Sequence, residues 1–121
     1  MGELLRRGYD AQLADRNTKG YDVLVGWPEN KTLRKVQIKS VRSPRWYVKT
    51  ASFGSKMQSE VTIYVLLGRE DARKPVCYFI TKNGDLKVKL HRVRNWKQNA
   101  FMPLRAIEPF EDKWDILKKN V

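Results

Sequence analysis

The sequence predicts a mixed α/β domain with a central sheet of about five or six strands, flanked by helices. Three observations carry that expectation. The runs Val61 to Leu67 and Val76 to Thr81 are β-branched and apolar on both faces, as in strands covered on both sides. Leu33 to Ser40 alternates apolar and polar residues with the period of a half-buried strand. The two ends, Gly2 to Arg7 and Asp112 to Lys119, carry helical patterns instead. The chain has 121 residues, room for a single modest core, so residues 1–121 read as one domain.

Each element has its own justification. Gly2 to Arg7 reads as the end of a helix, and Gly8 supplies its stop because glycine enters the left-handed region without strain. Tyr9 to Ala14 alternates weakly and forms a first strand. Asp15 to Gly20 is a polar turn, Tyr21 to Gly26 a second strand, and Trp27 to Lys31 a hairpin connection marked by Pro28. Leu33 to Ser40 is the third strand. Ser43 to Glu60 is polar, basic and aromatic; Trp46 to Thr50 is its candidate strand and the remainder reads as loop. After the apolar strand at Val61 to Leu67, Gly68 to Pro75 is a charged turn leading into the strand from Val76. Lys82 to Leu90 reads as a turn and an edge strand, because Leu86, Val88 and Leu90 alternate with Lys87 and Lys89. Trp96 to Arg105 is irregular. Asp112 to Lys119 is a terminal helix that turns Trp114 and Leu117 inward.

Composition narrows the function. Lysine and arginine number 25 against 13 acids, a net charge of +12. That imbalance calls for a polyanionic partner, nucleic acid first and an anionic membrane surface second. The apolar runs have strand length, and neither a secretory signal pattern nor a basic amphipathic helix is evident. The expected location is the cytoplasm or nucleoid, with no membrane partner. The lone Cys77 excludes an internal disulfide and a thiolate zinc cluster, and reads as a small core hydrophobe. His91 is the only histidine, so any metal would be a hard cation on oxygen ligands.

The chemistry concentrates at one place. Asp22 is a carboxylate inside the apolar run Tyr21-Asp22-Val23-Leu24-Val25. On the next strand, Val36-Gln37-Ile38-Lys39 puts Gln37 and Lys39 on one face. Phosphodiester hydrolysis uses a metal to polarise a phosphoryl oxygen and to acidify a water. Magnesium takes one or two carboxylates plus carbonyls and waters. Asp22 and Glu3 are the carboxylates available. Gln37 offers an amide oxygen, the Ile38 carbonyl completes the donor set, and Lys39 orients the water or offsets charge on phosphorus.

Gly20-Tyr21-Asp22 followed by Val36-Gln37-Ile38-Lys39-Ser40 resembles the PD-(D/E)xK nucleases of restriction-endonuclease-like fold. Within that group the chain is similar to Holliday-junction-resolvase-like and intron-encoded homing endonucleases. The resemblance implies an αβββαβ core and magnesium-dependent cleavage of DNA, with manganese as a substitute. It places Asp22 as the motif's aspartate, Lys39 as its lysine and Glu3 as the accessory acid of the first helix. Tyr21 stands where many members have proline. Gln37 stands where most have a carboxylate, which removes one charge from the metal site. The alternative reading is a catalytically inactive nucleic-acid-binding module with the same fold.

A second constellation is basic. Arg42, Arg45, Lys49 and Lys56 follow the motif, with Trp46 among them, and form the expected nucleic-acid surface. A further cluster runs from Lys82 to Lys97 beside Trp96. Trp27 reads as a packed turn and Trp114 as core. The DNA partner is duplex or branched. One pocket cuts one strand, so a homodimer or higher homo-oligomer is expected, with its contact at the sheet edge or along Trp96 to Phe110.

Overall fold

A computed structural model describes residues 2–13, 22–26, 33–42, 45–49, 53–54, 60–67, 76–86, 89, 91–92 and 98–118. Helix α1 (Gly2–Arg6) leads into strands β1 (Asp10–Leu13), β2 (Val23–Gly26) and β3 (Arg34–Val41). Strands β4 (Arg45–Lys49), β5 (Val61–Leu67) and β6 (Val76–Lys82) follow. Helix α2 (Asn83–Leu86), strands β7 (His91–Arg92) and β8 (Asn99–Pro103) and helix α3 (Leu104–Ile107) come next. The described chain closes with 3₁₀ turns at Glu108–Phe110 and Trp114–Lys118.

Five strands form one sheet in the order β1-β2-β3-β5-β6. Only β3 and β5 run parallel, with Val36 opposite Val61 and Lys39 opposite Tyr64; the other pairs are antiparallel. A parallel pair needs a long crossover, and β4 belongs to that crossover. It leaves the main sheet to pair with β8, giving a second sheet of order β4-β8-β7. Between β3 and β5 the described residues therefore include a strand, β4, in the crossover.

The main sheet is covered on both faces. On one face Leu4 of α1 and Trp114, Ile116 and Leu117 pack against Val36, Ile63, Val65 and Ile80. On the other, Trp46 and Val48 of β4, Met102 of β8 and Ile107 of α3 pack against Tyr64, Leu66 and Phe79. This is why β5 is apolar at every position but Thr62. Each fully buried aliphatic or aromatic side chain contributes about 1.5–3 kcal/mol relative to exposure.

Local chemistry fixes the ends. Gly8 sits at φ 89° after α1, the Tyr9 N–H donates to the Leu4 carbonyl at 3.0 Å, and the Gly8 N–H donates to Leu5 at 3.1 Å. These are the two bonds of a Schellman stop, and Tyr9 and Leu4 make its apolar contact in the core. The C-terminal 3₁₀ turn is tied down from the sheet. The Tyr9 hydroxyl donates to the Trp114 carbonyl at 2.8 Å, and the Arg34 guanidinium donates to the Ile116 carbonyl at 3.0 Å.

Three expectations change. Lys82 to Leu90 does not begin as a turn into an edge strand; Asn83–Leu86 is a helical turn with Leu86 buried. Asn83 is an anchor there: its N–H donates to the Glu60 carbonyl and its side-chain oxygen accepts from the Thr62 hydroxyl at 2.8 Å. Within the stretch read as irregular, Asn99–Pro103 is a strand, because Ala100 and Met102 are buried between less buried neighbours. The expected terminal helix is a 3₁₀ turn, although Trp114 and Leu117 do point inward. Among the described residues no helix is long and apolar enough to cross a membrane.

Candidate active site

Pairing between β2 and β3 runs from Val25–Arg34 to Val23–Val36 and stops there. Asp22 stands at the point where the strands part. Its main-chain N–H still donates to the Val36 carbonyl at 2.9 Å. Its carboxylate turns back along β3, and Oδ2 accepts the Ile38 N–H at 2.8 Å. The side chain thus takes an N–H of β3 that points to the β2 edge. In a strand the N–H and C=O of one residue point to the same edge, so the Ile38 carbonyl faces the edge that Asp22 occupies. Asp22 is exposed, and Gln37, Ile38 and Lys39 are half-buried.

Gln37 and Lys39 share a face, as the spacing predicts. Their register partners on β5 are Thr62 and Tyr64, which face the second sheet. Tyr64 is fully buried, and burial pushes its phenol well above the usual tyrosine range. The Thr62 hydroxyl donates to Asn83, and the Thr81 hydroxyl donates to the Thr62 carbonyl at 3.1 Å. A satisfied, buried polar cluster therefore lies beside Gln37. Sequence reasoning missed it, because Thr62 and Thr81 read as ordinary β-branched strand residues.

Glu3 lies across the sheet from these side chains. It lines a cavity of about 200 Å³ with Ile38, Ser40, Val65, Tyr78 and Trp114 on the α1 face. Its carboxylate is taken by arginines: Arg6 donates at 2.7 and 3.1 Å, and Arg7 at 2.8 Å. Arg6 first, with Arg7 adding to it, holds the Glu3 carboxyl below its ordinary value. The Arg7 guanidinium also lies 4.5 Å from the centre of the Trp114 ring. The structure thus holds the Asp22 carboxylate on the main chain of Ile38, between Gln37 and Lys39 in sequence, while Glu3 is engaged in ion pairs on the α1 face.

The edge suits a hard cation in donor type. It offers one exposed carboxylate with an N–H fixing its orientation, a main-chain carbonyl and a neutral amide, all oxygen donors. Among the described residues no group of three or more His, Cys, Asp or Glu converges. Any such ion would rely on substrate phosphate and water for the rest of its shell.

The basic set divides. Arg42 and Lys49 are exposed. Lys56 and the side chain of Arg45 lie outside the described residues. Trp46 is a correction: it is 0% exposed, with edge contacts to Tyr64 and Phe79 and its indole N–H donating to the Lys39 carbonyl at 3.1 Å. It is a core residue, and its neighbour Tyr47 faces solvent. Arg-Trp-Tyr-Val-Lys has three apolar residues in succession, so the pattern did not say which parity faces out.

No family model matches the chain, and no curated protein matches it. Solved structures do. The Holliday junction resolvase Hjc of Archaeoglobus fulgidus superposes with a TM-score of 0.59 at 12% identity, covering 99% of this chain and 90% of the resolvase. The bacterial homing endonuclease I-Ssp6803I superposes with a TM-score of 0.52 at 14% identity, covering 97% of this chain and 82% of that one. Both are PD-(D/E)xK nucleases of restriction-endonuclease-like fold. At these identities the likeness establishes the fold, and this chain has the restriction-endonuclease-like fold.

Proposed function

We propose that this chain is a magnesium-dependent DNA endonuclease that hydrolyses phosphodiester bonds, with manganese as a substitute cation. The observation that carries the reading is the Asp22 carboxylate held on the Ile38 N–H at the edge where β2 leaves β3. Asp22, the Ile38 carbonyl and the Gln37 amide hold the cation. The cation supplies a Lewis acid for a phosphoryl oxygen and a more acidic water. Lys39 orients the attacking water and offsets charge on phosphorus in the transition state. Glu3 is the accessory carboxylate, acting through water in the cavity it shares with Ile38, and its use requires release from Arg6 and Arg7. Arg42, Arg45, Lys49 and Lys56 hold the phosphate backbone of duplex or branched DNA. The structural neighbours, a junction resolvase and a homing endonuclease, support the reading.

The working form in this reading is a homodimer or a higher homo-oligomer, because two strands call for two pockets. The late segment is a poor contact surface, since Ala100, Met102, Ala106 and Ile107 are spent in the core. Strand β1 is better. It is an edge of the main sheet, and Leu13 on it is 70% exposed. The workplace is the cytoplasm or nucleoid, where such DNA lies.

One observation favours the second reading, a binding module without turnover. Gln37 is neutral, and no triplet of acids gathers at the edge among the described residues. Incubation of supercoiled plasmid and of a four-way junction with magnesium or manganese decides between them. Cleavage by the wild type and none by Asp22→Ala supports the nuclease. Tight binding with no cleavage in either metal overturns it.

A further inference from the structure

Among the described side chains, the outer face of the second sheet enters the reading above only through Lys49. Strand β4 alternates strictly: Trp46 and Val48 are buried, while Tyr47 and Lys49 are exposed. Tyr47 is 61% exposed, a large aromatic ring in solvent. Its register partner on β8 is Phe101, which is half-buried, and Lys49 lies opposite the exposed Asn99. The face therefore presents an exposed aromatic ring, with exposed Lys49 on the same side two residues along the strand, in a chain of net charge +12. It is also coupled to the candidate site, because the residue before Tyr47 is the tryptophan bonded to the Lys39 carbonyl.

We infer that this face is a stacking platform for an unpaired base of DNA: the base lies on Tyr47, and Lys49 takes a flanking phosphate. Every base has a π-face, so an aromatic ring on a sheet accepts unpaired nucleotides with little sequence preference, whereas a base inside a duplex offers it no face. Charge alone would not separate the two, since both strand types carry phosphates. The platform rests on the nuclease reading for its substrate. It adds that this substrate contains a single-stranded or branched segment close to the cut.

The test is a binding titration without divalent cation. The probes are a thymidine oligonucleotide about ten nucleotides long, a blunt duplex of equal length, and the same single strand carrying 2-aminopurine. Fluorescence anisotropy gives the two affinities, and 2-aminopurine quenching reports stacking directly. Tyr47→Ala should lower the ratio of single-strand to duplex affinity by about tenfold and abolish the quenching. Tyr47→Phe should keep both, because the ring and not the hydroxyl stacks. An unchanged ratio in Tyr47→Ala overturns the platform. So does a wild-type protein that leaves 2-aminopurine unquenched, a result independent of whether the variant folds. Failure here leaves plasmid cleavage untouched, and failure to cleave leaves these titrations untouched, so the two readings fail separately.

Discussion

The indole N–H of Trp46 donates to the carbonyl of Lys39 at 3.1 Å, so the second sheet is bonded to the strand that bears the candidate catalytic lysine. That bond satisfies a main-chain oxygen on β3 and sets where β4 lies over Tyr64 and Phe79.

Replacing Trp46 therefore tests a packing role against a surface role. Trp46→Ala should cost about 3–5 kcal/mol of stability through the cavity it leaves. Trp46→Phe keeps most of the volume but removes the indole bond to the Lys39 carbonyl, which should cost about 0.5–1.5 kcal/mol. Urea melts measure both. A loss of DNA affinity with no loss of stability would return Trp46 to the surface.

Asp22 and Lys39 should separate binding from chemistry. Asp22→Ala should remove cation binding at the edge. Lys39→Ala should leave cation and DNA binding nearly intact and slow strand cleavage on the order of 100-fold or more. Single-turnover nicking of plasmid measures the rate. A Lys39→Ala protein that cuts at the wild-type rate removes the lysine from the mechanism.

Gln37→Glu adds a second charge to the edge. Magnesium should then bind more tightly, seen by calorimetry as a lower Kd. Thr62 and Asn83, which satisfy each other beside it, give the new carboxylate no cation to pair with. An unchanged magnesium affinity would show that position 37 does not face the ion.

Glu3 predicts a pH effect of definite sign. Arg6, then Arg7, hold its carboxyl below the ordinary value near 4.5, so the folded chain binds that proton less tightly than the unfolded chain does. Its stabilisation is complete above pH 4.5 and is lost as pH falls through the lowered folded value. The effect is small, because the pair faces water. Thermal melts of Glu3→Gln and wild type should differ near neutral pH and converge as the solution is acidified. Divergence on acidification would contradict the ion-pair assignment.

Leu13 tests the oligomer. In a Leu13→Lys variant the exposed edge carries a charge that opposes strand pairing. Light scattering at micromolar concentration should give two chains of 14.2 kDa for the wild type and one for the variant. A monomeric wild type, with and without DNA, that still makes double-strand breaks in one encounter would exclude the dimer.

The main sheet was legible because its strands obey simple rules. Val61–Leu67 lies within its expected bounds, and Gln37 and Lys39 share a face because period two admits nothing else. The second sheet was not legible. Strand β8 owes its place to Ala100 and Met102 filling space under Trp46, a tertiary demand with little local signature. Glu3 was legible as an acid near a helix end, but not its capture by Arg6 and Arg7, which needs the helix's own three- and four-residue spacing to close. Asp22 was read from its apolar context; its bond to the Ile38 N–H depends on where β2 stops, which no residue in the turn announces.

The chain's path after α3 has a consequence for assembly. Glu111 bridges to Phe79, and the Asp112 N–H donates to the Tyr78 carbonyl, with Asp112 itself in the left-handed region at φ 55°. The outer margin of β6 is therefore occupied at Tyr78 and Phe79, whereas β1 at the far end of the sheet has β2 as its one strand partner among the described residues. In the proposed dimer, two copies joined β1 to β1 around a twofold axis would cover that margin of both, and the row would terminate at two rather than extend into a fibre.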